Sequence, residues 1–454
     1  MFQGAPTGRT VVYAPAVTTL LRFGRAARFT ASALTGALLL AACGAHSSSS
    51  APPDLPGPGS STTATKYEPT HRDFAAVRAL LADRADAVLH DDETAFLATV
   101  DDRDGDLVAQ QRTLFRNMSQ LSVSSLSYVM DPSALLVPAA VEGDGPTIRP
   151  EIFEFLQVAG TLQHPVTNAL EETFVKRGHR WLLGAETTPD DNEAFDSPQE
   201  RPWYGVPIVA RRLGPMTVLV DQDRASTLDP LTTAIHDHIR FDAEKLGVPA
   251  SYRILVDATS NGNPTLFNAE SQEQAAAVTF GLGEADPKDT TRFKALAGMA
   301  IKINPHEAGS YADDAGLLRH ELTHFLLRDY SGSSPKWLSE GVATWIQYYP
   351  DSFATTQVSE DLYRRLQAAD RRLPVLGLFN EDPQVNYDIA QAAVAWLVDQ
   401  YGMPRLIALM EAYRTDYAGV DTDALTPRLL RQVYGVGEPA VVAGAFGLLG
   451  QLHH

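Results

Sequence analysis

Residues 320–324 read HELTH, and this stretch does most to decide the fold and the function of the chain. Residues four positions apart lie one turn apart on the same face of a helix, so the imidazoles of His320 and His324 can face one zinc ion. Glu321 is rotated by about 100° around the helix axis and lies beside such an ion rather than on it. A carboxylate in that place can take a proton from zinc-bound water and give it to a leaving amine.

The sequence around HELTH has the pattern of a helix from Asp313 to Arg328. Apolar residues recur there at the spacing of a core-facing helical stripe: Leu317, Leu318, Leu322, Phe325 and Leu326. The alternative interpretation is a solvated helix face that carries two histidines by chance, and the apolar stripe disfavours it. The motif therefore falls inside a helix, as metal binding requires.

A third metal ligand is expected, because catalytic zinc has three protein ligands and one open position. Residues 335–345, which read PKWLSEGVATW, supply a candidate in Glu340 at the start of a second helical pattern. A loop at 331–335 would let the chain return to the same site. The alternative is that Glu340 is a first-turn acid favoured by the helix dipole. Together with HELTH, we interpret Glu340 as the third ligand of Zn²⁺.

HELTH followed by WLSEGVATW resembles the gluzincin zinc peptidases, the clan of thermolysin and aminopeptidase N. The resemblance covers roughly residues 215–415, and its distinctive motifs occupy a small part of that range. It implies that His320, His324 and Glu340 bind zinc and that Glu321 is the general base. The spacing to Glu340 is shorter than in those two enzymes and fits the smaller, divergent gluzincin-like families better. A small mixed sheet, a helical C-terminal half and zinc in the cleft between them are the implied fold.

The resemblance also implies a donor for the oxyanion that forms during peptide hydrolysis. Gluzincins commonly supply it from a later helix, and residues 386–402, NYDIAQAAVAWLVDQYG, resemble that helix. Tyr387 is therefore the candidate donor. An aromatic residue that packs in the core at a helix start is the alternative interpretation.

A substrate-binding strand is the last element that the resemblance implies. Residues 297–304, AGMAIKIN, alternate like a strand and precede the HELTH helix. The matching edge strand of the clan pairs with the substrate backbone, which makes Gly298, Met299 and Ala300 the candidate substrate-binding residues. Aminopeptidases carry an acidic residue beside this strand, and its absence here disfavours an aminopeptidase.

Residues 1–42 have the composition of a secretory signal peptide. They contain four arginines and no acidic residue, and they end in an apolar run too short for a good spanning helix. The ending Leu-Ala-Ala-Cys43 resembles a bacterial lipobox, and Cys43 is the only cysteine of the chain. A lone cysteine is often a small buried residue, but this position favours a lipid anchor at the extracytoplasmic face of the cell membrane. Residues 43–69, rich in Ser, Pro, Gly and Thr, predict a flexible tether.

The charge balance excludes some partners. The chain has a formal net charge of −19, and without residues 1–42 it keeps 33 basic and 56 acidic residues, a net charge of −23. Such a balance disfavours nucleic acid as a partner and disfavours general attraction to anionic lipid. Membrane attachment would therefore depend on the anchor at Cys43. The dominance of arginine over lysine is typical of GC-rich bacterial genomes, such as those of actinobacteria.

An α+β fold in two domains is expected after the tether. Residues 70–200 predict a helix from His71 to Leu89 and then antiparallel strands, which resembles in outline the nuclear-transport-factor-like cone fold. This accessory domain shows no catalytic constellation, so a structural role and a ligand-binding role both stay open. Residues 201–454 predict the gluzincin-like metallopeptidase domain.

Our leading hypothesis is a lipid-anchored zinc peptidase that hydrolyses a peptide or protein substrate outside the cytoplasmic membrane. The alternative is a surface-anchored binding or scaffold lipoprotein with a vestigial metallopeptidase domain. The complete set of three ligands and a base disfavours that alternative, because a decayed site has no reason to keep the base. A third hypothesis is that the accessory domain captures a partner on which the peptidase acts. The pattern predicts neither the bond specificity nor the oligomeric state.

Overall fold

The computed structural model describes residues 65–142, 145–187, 201–261, 277–305, 315–417 and 421–453. Within these ranges the chain forms two five-stranded sheets and a large set of helices, which confirms the predicted α+β class. The predicted signal peptide, the lipid anchor at Cys43 and residues 43–64 of the predicted tether lie outside the described residues.

The first sheet is antiparallel, and its strands follow one another in chain order. They are β1 (Thr65–Lys66), β2 (Val123–Glu142), β3 (Gly145–Val158), β4 (Val166–Arg177) and β5 (Arg180–Thr187). β4 and β5 form a hairpin, with Gly178 at φ 59° in its turn. Thr65 and Lys66 already pair with β2, so the sheet begins inside the segment predicted as a tether.

Three helices pack with the first sheet: α1 (His71–Leu89), α2 (Glu93–Leu97) and α3 (Gly105–Gln120). The first was predicted with both of its bounds, and a capping box between Thr70 and Asp73 begins it. The other two were not predicted. In α3 the buried apolar residues Leu107, Leu114, Phe115 and Met118 recur at helical spacing, so the signal was present in the sequence.

The second sheet is mixed, with the strand order β6-β7-β8-β10-β9. Its strands are β6 (Ile208–Leu213), β7 (Met216–Asp221), β8 (Leu255–Ala258), β9 (Ala277–Asp286) and β10 (Asp289–Ile303). β8 runs parallel to both of its neighbours, whereas the two outer pairs are antiparallel. β6 and β9 are therefore the edge strands among the described residues.

Helices cover the second sheet and form the C-terminal half of the chain. After a 3-10 helix, Gln222–Thr227, they are α4 (Leu228–Leu246), α5 (Ala315–Leu326), α6 (Arg328–Ser331), α7 (Lys336–Tyr348), α8 (Glu360–Ala368), α9 (Leu378–Glu381), α10 (Pro383–Tyr401), α11 (Met403–Asp416), α12 (Thr422–Tyr434) and α13 (Glu438–Leu449). α10 and α11 are separated at Gly402, which has φ 82°. No described helix is long and apolar enough to cross a membrane.

The two sheets share a hydrophobic core. Leu162, from the β3–β4 connection, and Trp203 belong to one buried cluster with Leu282 of β9 and Ala297 of β10. The backbone N–H of Gln163 donates to the carbonyl of Ala297 at 2.8 Å. The first part of the chain thus packs directly against the sheet that precedes the HELTH helix.

Candidate metal centre

Two helices bring three ligand-type side chains together. His320 and His324 lie one turn apart on α5, and Glu340 lies on α7. Oε2 of Glu340 is 3.2 Å from Nε2 of His320 and 3.4 Å from Nε2 of His324, and the two Nε2 atoms are 3.2 Å apart. All three residues are buried. In the described part of the chain, no other group of three or more potential ligand residues has this arrangement.

These distances fit a tetrahedral zinc ion. Zinc bonds of about 2.0–2.1 Å at tetrahedral angles place neighbouring ligand atoms about 3.3–3.4 Å apart, close to the separations seen here. Oε2 of Glu340 is buried and has no hydrogen-bond partner, a state that costs free energy unless a cation is bound. The donor set, two imidazole nitrogens and one carboxylate oxygen, is also one that zinc prefers.

A glutamine orients the first imidazole. Nδ1 of His320 is 3.1 Å from Oε1 of Gln347, which lies on α7 two turns beyond Glu340. The amide oxygen can only accept, so Nδ1 carries the proton and donates it. Nε2 is then left with its lone pair towards Glu340 and His324, as metal binding needs. Sequence reasoning missed Gln347, although its seven-residue spacing from Glu340 places both on one helix face.

The Glu340 carboxylate is kept ionised. Burial alone would raise its pKa, but Lys336 and the imidazoles of His324 and His320 outweigh burial and hold the pKa well below its usual range. Nζ of Lys336 donates to Oε1 at 2.6 Å. An ionised carboxylate is the form that binds a metal ion. Lys336 was also missed, although its i, i+4 spacing to Glu340 is a signal in the sequence.

Glu321 lies beside the three ligands and is also buried. The hydroxyl of Thr279, on β9, lies 2.6 Å from Oε2 of Glu321 and donates to it. Burial raises the pKa of Glu321 to about 7, the charge of Glu340 adds to the rise, and His320 and Thr279 oppose it. A carboxyl group with a pKa near neutrality can both accept a proton and return it. Nothing in the sequence indicated Thr279.

Tyr387 lies next to the site on α10. Its ring centroid is 6.2 Å from that of His320 and 5.2 Å from that of Phe379, and the residue is buried. A Cβ atom at Gly341 would lie 2.5 Å from the carbonyl oxygen of Ala390, so α7 and α10 are in direct contact here. Tyr387 therefore packs in the core, as the alternative interpretation had it, and at the same time contacts the predicted ligand His320.

The predicted edge position of Gly298, Met299 and Ala300 is wrong. β10 lies between β8 and β9, and Ala300 pairs with Leu255 on one side and with Phe280 on the other. The carbonyl of the preceding Ala297 accepts hydrogen bonds from the β3–β4 connection. Ala300 is thus paired on both sides, Gly298 and Met299 pair with β9, and among the described residues the edge strand beside the HELTH helix is β9.

Comparisons of the chain with protein-family models, with curated proteins and with solved structures give no match. The function is therefore inferred from the site itself. Its elements are three buried ligand atoms, a buried carboxylate beside them and a tyrosine that contacts one of the ligands.

Proposed function

We propose that this protein is a zinc-dependent peptidase with a gluzincin-like, thermolysin-like catalytic domain behind a nuclear-transport-factor-like accessory domain. The observation that carries the proposal is the buried, hydrogen-bond-free Oε2 of Glu340 within 3.4 Å of two imidazole nitrogens. Glu321 adjoins this set, and a site that only stored a metal would not need it. That second carboxylate favours hydrolysis over a scaffold role.

A zinc ion held by His320, His324 and Glu340 would supply a Lewis acid, which polarises a peptide carbonyl and makes a water molecule more acidic. Glu321 takes the proton from the attacking water and passes it to the leaving amine nitrogen. Because Oε2 of Glu321 accepts the hydrogen bond of Thr279, we assign the proton exchange to Oε1. Tyr387 is the proposed hydrogen-bond donor to the oxyanion.

The substrate backbone is proposed to pair with β9 instead of β10. Among the described residues, β9 has a strand partner on one side only, which is β10. It also carries Thr279, which contacts Glu321. An extended peptide that adds to this edge would lie beside the base and the ligands.

The proposed setting is the outer face of the cell membrane. The support for it is the signal-like composition of residues 1–42, the lipobox-like ending at Cys43 and the Ser/Pro/Gly-rich stretch that follows. A lipid on Cys43 would hold the folded part of the chain near the membrane. Peptides or proteins outside the cell are then the accessible substrates.

The test is Glu321→Gln in the purified protein, assayed on a mixed peptide library, with zinc measured by mass spectrometry. Loss of the base is expected to lower the hydrolysis rate by about 10²–10⁴-fold while zinc stays bound. The exposed Glu360 on α8 offers a matched control, because Glu360→Gln makes the same chemical change away from the site. Full activity in Glu321→Gln would refute the mechanism, and absence of zinc from the wild-type protein would favour the scaffold role.

A further inference from the structure

The lysine that precedes WLSEG makes a close contact with the third ligand. Lys336 is the first residue of α7, one helical turn before Glu340, and its Nζ lies 2.6 Å from Oε1 of that residue. The Glu340 side chain is fully buried and that of Lys336 is 14% exposed. This is a desolvated, charge-assisted hydrogen bond, stronger than a surface ion pair.

Helix stability does not account for a lysine at this position. A cation in the first turn is opposed by the positive end of the helix dipole. A lysine four residues before a glutamate is also the less favourable orientation of such a pair along a helix. Both effects lower the stability of α7, so the contact of Lys336 with Glu340 points to a role at the site.

The contact makes the two oxygens of Glu340 different. Oε1 accepts the hydrogen bond of Lys336, whereas Oε2 has no hydrogen-bond partner and faces both imidazoles. A carboxylate that binds one metal ion through both oxygens must direct a lone pair of each towards that ion. With an ammonium group on Oε1, Glu340 can present only Oε2.

We propose that Lys336 is a positioning residue that limits Glu340 to a single metal-binding oxygen. This inference rests on the proposed function, in which zinc keeps one position open for the reacting groups. A glutamate that bound through both oxygens would add a fifth ligand and crowd the position at which the reacting groups bind. Lys336 thus keeps the centre four-coordinate and open, through Glu340 and without contact with the substrate.

The experiment compares Lys336→Met with Lys336→Arg in the purified full chain loaded with cobalt(II), whose visible absorption distinguishes four from five ligands. The wild-type protein and Lys336→Arg, which keeps a cationic donor, are expected to give the four-coordinate spectrum. Lys336→Met is expected to give the five-coordinate spectrum and at least about tenfold slower peptide hydrolysis. Lys336→Leu, which also has neither charge nor donor, replaces it if the Met variant does not fold.

A four-coordinate spectrum in the uncharged variants would overturn the inference and leave Lys336 with a structural role only. The two proposals can fail separately. A spectral change in a protein without peptidase activity would retain the role of Lys336 and refute the peptidase. If the wild-type enzyme is active and its uncharged variant keeps the four-coordinate spectrum, the peptidase proposal stands and the role of Lys336 is refuted. A wild-type protein that binds no metal would refute both proposals.

Discussion

Buried acidic residues occur both at the candidate metal centre and inside the first part of the chain, and the partners of their carboxylates differ between the two regions. In the first part, Arg201 donates to Glu186 at 2.8 Å and lies 3.4 Å from Glu154, while Gln111 donates to Glu186 at 2.6 Å. These charges are balanced by other protein groups. At the candidate metal centre, in contrast, Oε2 of Glu340 has no hydrogen-bond partner and lies within 3.4 Å of two imidazole nitrogens.

The protonation of the acids differs in the same way. Burial raises the pKa of Glu172, next to the Arg201 network, to about 8; Glu186 adds to the rise, and Arg84 and Arg201 oppose it. Glu172 is thus mostly neutral at pH 7. Glu340 is buried to the same degree, yet its pKa is held well below the usual range despite burial. A buried, ionised carboxylate whose unpartnered oxygen faces two imidazole nitrogens is the feature that indicates a metal ligand.

The largest expected effect comes from replacing Glu340, compared with the same replacement of Glu172. Glu340→Gln is expected to weaken zinc binding by more than the roughly 10–100-fold typical of an outer-shell partner, because it removes a proposed direct ligand. Glu172→Gln, the same change in the other region, is expected to leave zinc binding as it was. Competition with a chelator measures both. Equal losses of affinity would show that the two regions do not differ as described.

Next in size is the effect of Arg201→Met, which leaves Glu186 and Glu154 without their cation. Removing one partner of a buried ion pair typically lowers the free energy of unfolding by about 3–5 kcal/mol. Urea denaturation measures this change, with the exposed Arg240 on α4, substituted in the same way, as the control. If Arg201→Met unfolded with the same free energy as the wild type, the ion pairs of Arg201 would not contribute to the stability of the first part of the chain.

The smallest expected effect is a change in how stability depends on pH. Since the folded-state pKa of Glu172 is raised to about 8 from an ordinary value of 4.5, its contribution favours folding below pH 4.5. That contribution is lost as the pH rises towards 8. Glu172→Gln removes the titration, so the variant is expected to gain about 1–3 kcal/mol over the wild type between pH 5 and 8. If the free energies of unfolding of the variant and the wild type changed in parallel with pH across that range, the raised pKa of Glu172 would be contradicted.

The sequence predicts the parts of the site that depend on spacing within one helix. His320, Glu321 and His324 follow from a four-residue interval, and Glu340 from a motif in the next long helix. Thr279 comes from a strand 42 positions away from Glu321, and no local pattern indicates such a contact. The error at Gly298–Ala300 has the same cause, since alternation predicts a strand but not its place in the sheet.

The fold of the first part was predicted less completely. α1 was predicted from its apolar stripe, whereas α3 was missed although its buried apolar residues also recur at helical spacing. Glu154, Glu172 and Glu186 lie on strands, where a charged residue normally predicts a solvent-facing position. Their burial depends on Arg84 and Arg201, which are distant in sequence, so the network could not be inferred from composition or periodicity.

Gly341 allows α7 and α10 to lie close together beside the candidate site because it has no side chain. A single added carbon there would lie 2.5 Å from the carbonyl oxygen of Ala390. The spacing between α7, which bears Glu340 and Gln347, and α10, which bears Tyr387, is therefore as narrow as two backbones permit. Any larger residue at Gly341 would push α7 and α10 apart and so displace Glu340 relative to Tyr387, without changing any of the proposed catalytic groups.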